Sequence, residues 1–143
     1  MNSIISATTG AAYGAVAGAS KSSKFFAAAD GLLGRASALA ASGDYALALE
    51  YGYRAALRIA GAVCADSPVI RRRKRLPSSA WDKLALTGES GAAWAGELSR
   101  YSALRGRVAS GIETAPDPET VRSFLRRVEE FYIASQPGAT LVA

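Results

Sequence analysis

Arg71, Arg72, Arg73, Lys74 and Arg75 stand in one unbroken run. They are the residues of this chain best placed to do chemistry on a partner. Without them, twelve basic and twelve acidic residues remain, so the whole net charge of +5 sits in a single pentapeptide. Concentrated positive charge points to an anionic partner, where diffuse charge would speak only of solubility. The phosphates of RNA, DNA or a nucleotide would suit it, with Arg54 and Arg58 on the preceding helix as further cations. Five such contacts alone give weak, strongly salt-dependent binding that carries no base information. Trp81, six residues beyond Arg75, could stack on a base if exposed. Two plainer readings stand beside these. The run is a solvated loop held open by its own repulsion, and Trp81 is a core residue of an amphipathic helix.

Other chemistry is narrowly bounded. The chain has no histidine, which removes His-based acid–base catalysis, Ser–His triads and His-ligated metal together. Cys64 is the only cysteine, so there is no intrachain disulfide and no cysteine zinc site. It lies beside the apolar stripe of a helix, where a small packed residue is expected. Glycines do not fall in a phosphate-loop spacing. Glu129 and Glu130 read as a solvated helix face, and Glu50 precedes Arg54 by four residues, the spacing of a surface ion pair. No cofactor, metal or catalytic residue is expected.

These residues need elements to position them, and the pattern is helical throughout. Half the residues are hydrophobic but only 8% are aromatic, so the core must rest on alanine and leucine in close-packed helices. With Tyr45 at zero on a helical wheel, Leu49, Gly52, Ala56, Ile59, Ala60 and Val63 fall within about 60° of it. The expected organisation is an all-α, up-down bundle of four main helices and one short helix over residues 22–136. A flexible or frayed arm precedes it (1–21) and a mobile tail follows (137–143). Ser22 or Ser23 caps the first helix, which ends at Ser42-Gly43. Asp44 caps the second, which Pro68 stops. The residues from Pro68 through the basic run form a loop. Ser79 caps a short helix over 80–86, and Ser90 caps a helix over 91–109. Asp117-Pro118-Glu119 starts the last one. On the 91–109 wheel Arg105 projects about 20° from Trp94, inside the apolar stripe. It either snorkels outward along its own stem or serves an interface or anion site. The uncharged stretch up to Ser20 lacks the marks of a signal peptide and is too weakly apolar to span a membrane. The alanine-rich hairpin suggests a tetratricopeptide unit, but no second copy follows at the required period.

An Ala/Leu-rich hairpin comes first, then an Arg-rich loop, then Pro77-Ser78-Ser79-Ala80-Trp81 opening a helix, and then a helix bearing Trp94. This order resembles an actinobacterial branch of the HEPN superfamily, over about Ser22 to Gly111. The resemblance implies a four- or five-helix bundle, commonly dimeric. Its members often act as ribonucleases or partner a nucleotidyltransferase. Catalytic members carry Arg-x4–6-His, and the counterpart here is Arg100, with the histidine position falling on Arg105, Gly106 or Arg107. None of these exchanges protons near neutral pH. The expectation is therefore a non-catalytic, cytoplasmic, homodimeric interaction module that binds nucleic-acid or nucleotide phosphates through the basic run. Its nearest competitor is a protein–protein adaptor whose loop meets an acidic partner. A ribonuclease with an arginine-only site around Arg100, Arg105 and Arg107 ranks last.

Overall fold

The computed structural model describes residues 20–139. The expected states of residues 1–19 and 140–143 lie outside the described residues. Among the described residues every regular element is helical. In chain order these are α1 (Ser20–Ala41), α2 (Tyr45–Ala65), α3 (Pro68–Arg72), α4 (Ala80–Ala85), α5 (Glu89–Leu98), a 3-10 turn (Ser99–Tyr101), α6 (Ser102–Ala109) and α7 (Pro118–Ala134).

The α1–α2 hairpin closes as its residues require. Gly43 takes φ +90°, and the Asp44 N–H returns to the Leu39 carbonyl at 2.9 Å. The Asp44 carboxylate then accepts the Leu47 N–H at 3.1 Å. Ala29 and Ala36 on α1, and Ala48, Ala55 and Ala62 on α2, are wholly buried at seven-residue spacing. Such small side chains let two helices approach closely. The buried face of α2 is wider than the Tyr45-centred stripe, because this helix packs against α1, α4, α6 and α7. It is the central element. Helix α7 covers the hairpin with Val121, Phe124, Leu125, Val128 and Phe131. Its start carries the expected cap, with the Thr120 N–H on Asp117 Oδ2 at 2.9 Å. Each large side chain wholly buried here, such as Phe124, Phe131, Ile59 and Leu98, contributes about 1.5–3 kcal/mol of transfer free energy.

Four expectations are corrected. Helix α1 spans Ser20–Ala41, so neither Ser22 nor Ser23 is its cap, and Ser22 is a buried polar residue inside the helix. Pro68 both stops α2 and opens α3, because Ser67 Oγ accepts the Ile70 N–H at 3.3 Å and proline suits a first helical position. The loop therefore shrinks to residues 73–79. Ser90 does not cap α5; Gly88 does, at φ +146°. The single helix over 91–109 is broken by the 3-10 turn, which advances about 120° per residue and so shifts the register of everything after it. No helix among the described residues is long and apolar enough to cross a membrane.

Candidate nucleic-acid interface

The basic run starts on a helix and ends on a loop. Arg71 and Arg72 form the last turn of α3, and Arg73 is extended at φ −83°, ψ 135°. The chain leaves α3 there, with the Arg73 N–H on the Ile70 carbonyl at 3.2 Å. Arg71 Nη1 donates to the Ala65 carbonyl at 3.3 Å. That sets a cation on the carbonyl end of α2, where the helix dipole is negative. Arg73 Nε donates to the Arg75 carbonyl at 3.3 Å, which bends the loop. All five side chains are exposed. Among the described residues none has a carboxylate within ion-pair distance.

The arginines of the later helices differ. Arg107 pairs with Glu113, Arg122 and Arg126 with Glu119, and Arg127 with Glu97 and Glu130. Arg127 also lies over the Trp94 ring at 4.6 Å. Hydrogen bonds from Arg127 hold the Glu97 carboxyl below its ordinary value.

Arg105 turns inward rather than out to a partner. Its Nε and Nη2 bind the two carboxylate oxygens of Glu50, each at 2.8 Å. Its guanidinium lies 4.9 Å from the centre of the Tyr53 ring. Arg54 Nε donates to the same Glu50 at 2.8 Å. The hydrogen bonds from Arg105, more than those from Arg54, lower the Glu50 carboxyl to about 2. The reciprocal bond raises Arg105. Arg105 is thus a structural clamp between α2 and α6, and Arg54 carries one of two positive charges shared with a single carboxylate. Arg58 is exposed one helical turn further along α2, without an ion pair among the described residues. Arg100 is exposed in the 3-10 turn. Arg100, Arg105 and Arg107 do not converge: the second is held by Glu50 and the third by Glu113.

Trp81 is 7% exposed, so it offers no face to a base. Its indole N–H donates to Tyr53 Oη at 2.8 Å, and Tyr53 Oη shares a 2.7 Å hydrogen bond with Ser102 Oγ. The Tyr53 hydroxyl ties α4 and α6 to α2. Sequence reading missed this tie. The two partners of Tyr53 lie 28 and 49 residues away, and nothing in local spacing signals them. Tyr51 was also overlooked. Arg35 lies over its ring at 4.9 Å and Arg54 at 5.4 Å.

A helical hairpin whose central helix is clamped by later helices, with a cationic connection after it, defines a small all-α bundle domain. Residues 39–135 match the family model described as SAV_6107-like HEPN. The chain therefore belongs to the HEPN superfamily. The match takes in α7, which the resemblance read from the sequence did not reach, and leaves out most of α1. No curated protein and no solved structure matches the chain.

Proposed function

We propose that this HEPN domain is a non-catalytic interaction module that grips nucleic-acid phosphates with Arg71, Arg72, Arg73, Lys74 and Arg75. One observation carries the reading. The entire charge excess lies on five exposed side chains that no carboxylate among the described residues neutralises, while Arg105, Arg107, Arg122, Arg126 and Arg127 are all paired. Exposed cations whose charge no carboxylate offsets are available to an external polyanion. Arginine, four of the five, also suits bidentate contact with phosphate. The non-catalytic part rests on chemistry. The chain has no histidine, and Arg105, which stands at a histidine position of the ribonuclease motif, is committed to Glu50.

Fluorescence anisotropy with labelled single-stranded RNA and duplex DNA tests the reading. Neutralising five phosphates of a single strand gives a log–log salt slope of roughly −3.5, so affinity drops about tenfold for each doubling of salt. Changing residues 71–75 to alanine should abolish binding to both ligands. Salt-insensitive binding, or binding retained by that variant, removes the run from the site. The same preparation, incubated at high concentration with structured RNA, should leave it uncut.

A further inference from the structure

A groove of about 260 Å³ adjoins the basic run, lined on that side by Ile70 and Leu76, the residues that flank the run at either end. Its lining includes the apolar side chains of Phe25, Leu57, Cys64 and Leu76. Lys21 from α1 and Lys83 from α4 stand on its rim, and no carboxylate lines it. Phe25 forms one wall because α2 has Gly61 beneath it: a Cβ there would sit 2.9 Å from Phe25 Cε1. Four separate stretches thus make an apolar slot bordered by cations. The larger cleft of about 420 Å³, by contrast, is lined by Asp66 and Glu89, charges that repel a phosphate.

Resting on the phosphate-binding reading of the run, we infer that this groove takes an unpaired base of a single-stranded nucleic acid, whose flanking phosphates lie on the run, Lys21 and Lys83. The chemistry favours that occupant. Phosphate contacts alone do not favour the unpaired strand, since a duplex carries the denser charge, whereas an apolar slot with an aromatic wall rewards a base that is free to leave its stack. Trp81, the aromatic nearest the run in sequence, is buried against Tyr53 and cannot serve; Phe25 can. The slot has few hydrogen-bonding groups, so it selects unpaired over paired bases more than one base over another. It is also too small for the row of anchors that an amphipathic helix would bring.

Cys64 is the only cysteine and lines the slot, so its alkylation reports occupancy in the full-length wild-type protein. The probes are an oligouridine RNA, a duplex RNA, an abasic strand of equal length and a polyglutamate peptide, each tested for anisotropy binding and for protection from iodoacetamide. Oligouridine should slow alkylation about tenfold and bind about tenfold more tightly than the abasic strand. Saturating duplex should leave the alkylation rate unchanged. Equal affinity or equal protection from the abasic strand overturns the base slot while leaving phosphate binding by the run intact. Protection by polyglutamate as strong as by oligouridine overturns it in favour of an acidic peptide. Absence of any binding overturns this inference together with the reading it rests on.

Discussion

Glu50 is the residue on which the middle of the molecule turns. Two arginines from different helices meet on it, and one of them, Arg105, is only partly accessible at 34%. Its lowered carboxyl sets the sign of its pH dependence. The unfolded group protonates near 4.5 and the folded one near 2. Its contribution is therefore complete above about pH 4.5 and is lost as pH falls toward 2. Glu50→Gln removes the charge and leaves Arg105 without its counterion. Urea unfolding should show a loss of about 1–2 kcal/mol at pH 7. The stability difference between wild type and variant should shrink at pH 3. An unchanged gap would place the acid sensitivity elsewhere. The indole of Trp81 has a separate job. Trp81→Phe keeps most of the ring but loses the N–H to Tyr53, and the same assay should register about 1 kcal/mol.

Helix α5 carries two glycines with opposite constraints. A Cβ on Gly91 would lie 2.1 Å from Thr87 Oγ1 and 2.4 Å from the Leu84 carbonyl oxygen. Backbone cannot move aside as a flexible side chain can. Gly91→Ala should therefore destabilise by about 1–3 kcal/mol, despite alanine's better helix propensity. Gly96 has nothing within 4 Å of the same position. Gly96→Ala on the same helix should stabilise by about 0.5–1 kcal/mol. Thermal unfolding of the two variants should shift in opposite directions. The contrast has a structural source: Gly91 is where α5 turns back tightly onto α4, and Gly96 faces solvent. The same turn explains why Gly88, at φ +146°, starts α5 in place of the serine two residues later.

For the molecule as a whole, the basic run is charge added to a fold that does not need it. Its five side chains are exposed and make no ion pair among the described residues. Their replacement by alanine should leave unfolding free energy within about 0.5 kcal/mol of wild type. Net charge falls to zero, so solubility near neutral pH should drop as binding does. A variant that unfolds instead would make the run structural.

Much of this arrangement was legible in the chain alone, because helices are local objects. Apolar spacing, the Asp44 and Asp117 caps, Gly43 at the hairpin turn and the concentration of charge in residues 71–75 all act over a few residues, and each was readable there. Pro68 shows the limit even at short range. A proline that stops one helix can also begin the next, and the Ser67 hydroxyl on the Ile70 N–H gives it that second role. Other features needed the tertiary structure. The 3-10 turn at Ser99–Tyr101 alters the register of α6. Arg105 meets a carboxylate 55 residues away, and Trp81 spends its N–H on Tyr53. The groove beside the run is made by α1, α2, α4 and the flanking residues Ile70 and Leu76. Pairings of this kind depend on which helices approach and at what rotation. That is set by the packing of all their apolar faces at once, and no single stretch of sequence contains it.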